Sequence, residues 1–335
     1  MANQPLCQQY DVGLFDLDGV IYAGDNAIDH AAQSVDRAVK EGLRVAFVTN
    51  NAARTPEQVR DKLRGFSVEA QIDQIISSAL VAADILKQRL APGAKVLVVG
   101  AEGLRSAVRD AGLSVVDSAD DHPEAVVQGY GPEVGWPQLA EAVVAARAGA
   151  LYVATNMDST LPSARGILPG NGALIQAVVT ALGRQPDLVA GKPDRAMQTS
   201  SVQRTGAKKP LVIGDRLDTD IEGAVNSACD SLLVFTGVST PADVLAAPPE
   251  HRPTHMSADL RGLNEPARLP VHDGQSWTLG GWCATADGKI NRIDRAADID
   301  SLDYLRVACA ASWSGLDVTP DDEDAKAAHS ALKLK

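Results

Sequence analysis

The stretch Val12-Gly13-Leu14-Phe15-Asp16-Leu17-Asp18-Gly19-Val20 decides how this chain is read. An apolar run climbs into two carboxylates two residues apart and then breaks at a glycine. So short and apolar a run suits a strand buried on both faces of a parallel sheet. Residues i and i+2 at a strand's carboxyl end project to the same side, so Asp16 and Asp18 are expected to face one crevice. Doubly wound sheets bind their ligands there. Two bare carboxylates repel each other and call for a cation or a shared proton. An Asp-x-Asp pair also arises by chance in turns, so the reading depends on the rest of the chain.

Downstream, a helical pattern from about Asp29 to Glu41 ends at Gly42, and Arg44-Val45-Ala46-Phe47-Val48 follows as a second buried strand ending in Thr49-Asn50-Asn51. Thr55 as N-cap and Pro56 at the first helical position open another helix. This β-α-β-α order implies a parallel sheet. The alternation continues through a helix at about 77–90, strands at 95–100, 125–129 and 151–155, and helices at 104–111 and 136–148. We read residues 79–190 as an inserted α/β domain. The first sheet then resumes. Gly191-Lys192-Pro193 precedes a helix through about Thr205, and Pro210-Leu211-Val212-Ile213-Gly214-Asp215 is a third strand with a carboxylate at its end. A helix at about 218–227 and a strand at 231–235 follow. Beyond Pro266 the composition changes: Trp277, Trp282 and Trp313 fall here, Asp287-Gly288 reads as a hairpin turn, and 301–311 and 321–334 read as helices. The expected fold is therefore α/β: a doubly wound, Rossmann-type parallel-sheet core from 1–78 and 191–265, the insertion 79–190, and a small α+β extension 266–335.

With 335 residues, about two or three domains are expected at ~150 residues each. Aromatics make up only 4%, so the cores must rest on Val, Leu, Ile and Ala. A formal charge of -12 argues against nucleic acid and anionic membranes as partners. An anionic substrate must then be attracted locally, by a metal, a lysine or helix N-termini. Cys7, Cys229, Cys283 and Cys309 are scattered without a Cys-x-x-Cys pair, which fits reduced thiols in the cytoplasm. The first ten residues lack the basic and apolar regions of a signal peptide, and no apolar run is long enough to span a membrane.

A parallel sheet gathers its strand C-termini along one edge, and four polar sets are expected there: Asp16/Asp18, Thr49/Asn50, the Lys192 loop, and Asp215 with Asp220. Phosphoryl transfer needs such a set. One carboxylate attacks phosphorus and a second protonates the leaving oxygen. A Mg²⁺ ion with hard oxygen ligands offsets the repulsion between anions. A hydroxyl, backbone N–H groups and a lysine hold the transferring oxygens.

Asp16-Leu17-Asp18-Gly19-Val20, Val48-Thr49-Asn50-Asn51, Gly191-Lys192-Pro193 and Gly214-Asp215-Arg216-Leu217-Asp218-Thr219-Asp220 resemble, in order, the four motifs of haloacid-dehalogenase-superfamily phosphatases. The insertion is similar to the large α/β cap of the superfamily's p-nitrophenylphosphatase branch, and the resemblance runs from about Asp11 to Leu263. It implies Asp16 as nucleophile and Asp18 as general acid and then base, with the Asp18 backbone carbonyl on Mg²⁺. It also implies Asp16 and Asp215 as metal ligands and Asp220 acting on a metal-bound water or on Lys192. Thr49 and the backbone at Asn50 and Asn51 would hold phosphoryl oxygens, and Lys192 would neutralise nucleophile and phosphate. In the cap, Asn156 and Asp158 are candidates for positioning substrate or the cap loop, with turn formation an equal alternative; Arg165 is a candidate for meeting the leaving group. Asp218 is expected to cap the following helix rather than to bind metal.

The branch implies a small phosphomonoester as substrate: glycerol 3-phosphate first, since the extension resembles one on actinobacterial members, with phosphoglycolate, pyridoxal phosphate or a nucleotide as alternatives. A phosphotransferase or phosphomutase of the same superfamily is a rival reading. A non-catalytic receiver module is weaker, because the second strand ends in Thr49-Asn50 and a large insertion follows. No Gly-x4-Gly-Lys-[Ser/Thr] or Gly-x-Gly-x-x-Gly stretch supports a nucleotide-binding module. Self-association as a homodimer is left open, and the extension has no assigned role beyond packing.

Overall fold

The computed structural model describes residues 4–163, 165–294 and 300–334. Its central sheet has six parallel strands in the order His255–Ser257, Asp230–Val234, Pro210–Gly214, Val12–Phe15, Arg44–Thr49 and Ile75–Ser77. Numbered along the chain, that is the order 6-5-4-1-2-3, the doubly wound arrangement. The direction of winding reverses between the first and fourth strands, where Phe15 lies opposite Ile213. Asp16 and Asp215 leave the sheet side by side at that switch point.

The central apolar residues of the longer strands are buried on both sides, as an apolar run in a parallel sheet requires. Phe15, Phe47, Leu211 and Ile213 pack on one face with Val35, Leu63 and Leu260. Leu14, Ala46, Val48 and Val212 pack on the other, in a cluster that continues through the helix Ser78–Arg89 to Val96, Val98, Val127 and Val153. Those last residues belong to a second, five-stranded parallel sheet: Leu188–Val189, Leu151–Ala154, Ala125–Gln128, Lys95–Val99 and Ser114–Val116. The inserted sheet and the core thus share one apolar cluster. A hairpin, Thr160–Ser163 paired with Gly166–Pro169, projects from the inserted part.

The C-terminal part forms a five-stranded sheet, Val271–His272, Trp277–Leu279, Trp282–Ala284, Lys289–Arg292 and Thr319–Pro320. Its first four strands are antiparallel, with Asp287-Gly288 at the expected turn, and the last pairs parallel. The helix Ser301–Trp313 presses this sheet onto the edge of the core: Tyr304, Leu305 and Ala308 share a buried cluster with Leu233 and Met256. Trp282 meets Tyr304 edge-on at 5.2 Å, and both are almost completely buried.

Three expectations need correction. The core carries two further strands, Ile75–Ser77 and His255–Ser257, which the sequence hides because each is three residues long. The loop bearing Lys192 does not return from a core strand, since Leu188–Val189 pairs with Val153-Ala154 in the inserted sheet. And the segment read as a helix from Asp218 opens as a π-turn, Leu217–Ile221, before a short helix Glu222–Asn226. Asp218 does not cap it; its carboxylate pairs with Arg216 at 2.7 Å.

Candidate active site

Asp16 lies one residue beyond its strand, where the chain turns at Leu17-Asp18-Gly19, with Gly19 at φ +88°. Gly19 is needed there: positive φ disfavours a side chain, and a methyl group would strike the Asp215 carboxylate. The same carboxylate is confined from the other side by Gly237, where a Cβ would also overlap it. Asp215 is buried; its Oδ2 accepts the Val238 N–H at 2.7 Å, while Oδ1 is buried with no hydrogen-bond partner. A buried, unpartnered carboxylate oxygen is costly unless something electropositive meets it.

Asp220 reaches the same place because the π-turn directs its carboxyl inward, where Oδ2 accepts the Arg216 N–H at 3.2 Å. Ligand oxygens of Asp16, Asp215 and Asp220 all lie within 4.8 Å of one another. Three carboxylates with an orphaned oxygen form an all-oxygen donor set of the kind that Mg²⁺ and Ca²⁺ favour. The residues present therefore fit a hard divalent cation.

Lys192 is buried against this cluster. Its ammonium donates to Asp16 Oδ1 at 2.5 Å, to Asp220 Oδ1 at 2.6 Å and to the Val48 carbonyl at 3.4 Å, which uses all three N–H bonds. Burial alone would pull the lysine's pKa down, but the carboxylates of Asp16 and Asp220 outweigh it and hold the pKa above its usual value. Burial pushes Asp16 well above the carboxylate range despite Lys192, helped by the charges of Asp220 and Asp215. Burial and the charge of Asp220 push Asp215 up to about 7. A cation within the cluster reverses that balance.

Asp18 is set apart from the three-carboxylate group. Its side chain reaches solvent in a recess whose walls raise its pKa, offset in part by Lys62, Arg54 and Lys192. A carboxyl that keeps its proton more readily suits proton donation. Thr49 is buried and accepts the Asn51 N–H at 3.1 Å, so that amide is engaged within the loop. Asn50 turns its side chain to Lys192 and to Asp158. Asn156 donates to the Asn50 carbonyl at 2.7 Å. Burial raises the Asp158 pKa, opposed by its bonds from Asn50 and by the charge of Arg216. The structure thus brings Asn156 and Asp158 to the core loop, whereas Arg165 lies exposed on the hairpin. Gly170 and Gly172 sit where any Cβ would overlap the carbonyls of Asp158 and Met157, so the Asn156-Met157-Asp158 turn lies hard against the start of the helix Asn171–Leu182.

Two contributors escaped the sequence reading. The loop Thr236-Gly237-Val238 holds Asp215 and also ties Gly19, whose carbonyl accepts the Thr236 hydroxyl at 2.6 Å. Its signal was a Thr-Gly pair following a buried strand at the same sheet edge. Arg216, which lies within the fourth motif but was given no role there, is bound to Asp218 at 2.9 and 2.7 Å and stands beside the cap's Asp158.

Two family profiles match this chain: haloacid dehalogenase-like hydrolase over residues 13–114 and HAD-hydrolase-like over 189–263. D-glycerol 3-phosphate phosphatase of Mycobacterium tuberculosis is 40% identical over 96% of this chain and 94% of its own. The chain belongs to the haloacid dehalogenase-like hydrolases. With relatives that are phosphatases at 39–40% identity, it is an enzyme, a hydrolase of phosphoric monoesters. The crystal structure of the mycobacterial glycerol phosphate phosphatase in complex with magnesium superposes with a TM-score of 0.89 at 40% identity, covering 99% of this chain and all 100% of that one. A p-nitrophenyl phosphatase from Archaeoglobus fulgidus superposes at 0.71 with 30% identity, covering 98% of its own chain but 76% of this one. This hydrolase therefore shares its core and cap with the p-nitrophenylphosphatase branch. Among the described residues, no helix is long and apolar enough to cross a membrane.

Proposed function

We propose that this chain is a Mg²⁺-dependent phosphatase that hydrolyses a small phosphomonoester through an aspartyl-phosphate on Asp16, with glycerol 3-phosphate as the leading substrate. The observation that carries the reading is the Asp16–Lys192–Asp220 bridge beside the orphaned Asp215 oxygen at the switch point of the sheet. Mg²⁺ held by Asp16, Asp215 and the Asp18 carbonyl would supply charge neutralisation for an incoming phosphate. Lys192 keeps one Asp16 oxygen paired and oriented, leaving the other to attack phosphorus. Asp18 gives its proton to the departing alcohol and takes one back from the water that hydrolyses the phospho-enzyme. Thr49, with the backbone at Asn50 and Asn51, supplies donors to the phosphoryl oxygens, the Asn51 N–H exchanging its bond to Thr49 for one to substrate. Asp220 keeps Lys192 in place.

The substrate rests on the mycobacterial relative, whose likeness covers 99% of this chain where that of the archaeal phosphatase covers 76%. We assign residues 1–78 and 191–265 to the catalytic core, 79–190 to the cap and 266–335 to the extension. A cap over the cleft favours small esters over phosphoproteins. The four unpaired cysteines and the absence of a spanning helix among the described residues support a cytoplasmic setting. Phosphate release from glycerol 3-phosphate, phosphoglycolate, pyridoxal phosphate, nucleotides and hexose phosphates, with Mg²⁺ and with EDTA, tests the reading. A Mg²⁺-dependent preference for glycerol 3-phosphate supports it; release from none of them overturns it.

A further inference from the structure

Asn50 is engaged on every side. Its amide grips both polar groups of the Lys192 backbone: Oδ1 accepts the Lys192 N–H at 2.8 Å, and Nδ2 donates to the Lys192 carbonyl at 3.1 Å. Nδ2 also faces the Asp158 carboxylate at 3.2 and 3.3 Å. Its backbone carbonyl accepts the Ser78 hydroxyl at 2.6 Å and the Asn156 amide at 2.7 Å. Gly191 is shaped to admit the grip, because a Cβ there would come within 2.5 Å of the Asn50 amide oxygen. Ser78 begins the helix that leads into the inserted part, and Asn156 follows one of the inserted strands. One residue therefore holds the lysine loop, the segment leading into the cap and the cap's own turn.

The geometry points to Asn50 as a positioning residue that couples the placement of the cap to the placement of the Lys192 ammonium between Asp16 and Asp220. The inference rests on the phosphatase reading for its catalytic consequence, but the coupling itself concerns only protein contacts. When the cap turn shifts, Asp158 and Asn156 pull on Asn50, and Asn50 carries Lys192 with it. The amide suits this place because its oxygen meets the Lys192 N–H while its N–H groups separate the Lys192 carbonyl from the Asp158 carboxylate.

The test is a swap in the full-length enzyme. In Asn50→Asp, one oxygen still accepts the Lys192 N–H, but the other faces the Lys192 carbonyl and the Asp158 carboxylate. Adding Asp158→Asn restores a donor between the two side chains. We expect Asn50→Asp to lower kcat at least thirtyfold while KM moves less than threefold, and the double variant to regain at least tenfold in kcat. Hydrogen exchange supplies a readout besides turnover: amides at 189–194 and 154–159 exchange at least tenfold faster in Asn50→Asp and return toward wild type in the double variant, with 31–40 unchanged. Equal losses in the single and double variants, or unchanged exchange in both segments, overturn the coupling. If the wild-type enzyme releases phosphate from no ester, the function reading fails, and the exchange experiment still decides the coupling.

Discussion

Replacing Lys192 with Met removes the cation that bridges the buried carboxylates while keeping an unbranched side chain in its place. Lys192 is 4% exposed and Asp220 1%, so solvent does little to screen what remains. Breaking a buried pair by deleting one partner costs ~3–5 kcal/mol. The loss has a ceiling, because the carboxylates can take up a proton instead of repelling each other. Holding a proton on a carboxyl of ordinary pKa ~3.9 costs about 1.4 kcal/mol per pH unit, hence about 5.6 kcal/mol at pH 8 but only about 2.2 kcal/mol at pH 5.5. The sign follows: without Lys192 the folded-state carboxyl pKa lies further above its unfolded value, so the destabilisation grows as pH rises above about 4. Urea unfolding in EDTA should therefore show Lys192→Met less stable than wild type by ~3–5 kcal/mol at pH 8 and by no more than ~2 kcal/mol at pH 5.5. Adding Asp220→Asn should recover a large part of the pH 8 loss. A loss below ~1 kcal/mol at pH 8, or the same loss at both pH values, would refute the idea that Lys192 neutralises this cluster.

Asp215→Asn should weaken Mg²⁺ binding at least tenfold in calorimetry, and an unchanged affinity would contradict its place as a ligand. Gly237→Ala should do the same indirectly, since the added methyl displaces the Asp215 carboxylate; unaltered Mg²⁺ dependence would show that the carboxylate is free to move. His255 should make the fold acid-sensitive. It is buried, donates from Nε2 to a Tyr10 hydroxyl that itself donates to Asp230, and burial lowers its pKa to about 4. The unfolded chain takes up a proton near pH ~6.5, so stability is full above that point and falls as pH drops toward 4, by up to ~3 kcal/mol. His255→Gln should flatten that part of the stability profile, and a profile identical to wild type would remove His255 as the cause.

The candidate site was readable in the sequence wherever one of its residues follows a buried strand. Asp16, Thr49 and Asp215 each come directly after an apolar run, and parallel pairing places the ends of those runs together. The three-residue strands were not readable, because so few residues carry no periodicity and Ile75–Ser77 and His255–Ser257 gain their identity only by pairing with a neighbour. The π-turn at Leu217–Ile221 was also hidden: its Asp-rich sequence looks like a helix start, yet the turn carries Asp220 to Lys192. Asn50 could be picked out only as part of a motif. Its reach to Ser78, Asn156, Asp158 and Lys192 depends on contacts up to 142 residues apart, which no local pattern encodes.

The most direct test of the account is to quench the enzyme with acid during turnover of glycerol 3-phosphate and examine the peptide carrying Asp16 by mass spectrometry. One phosphoryl group is expected on Asp16 in the wild type, and neither adduct nor turnover in Asp16→Asn. Steady phosphate release without a modified Asp16, or near wild-type turnover in Asp16→Asn, would contradict it.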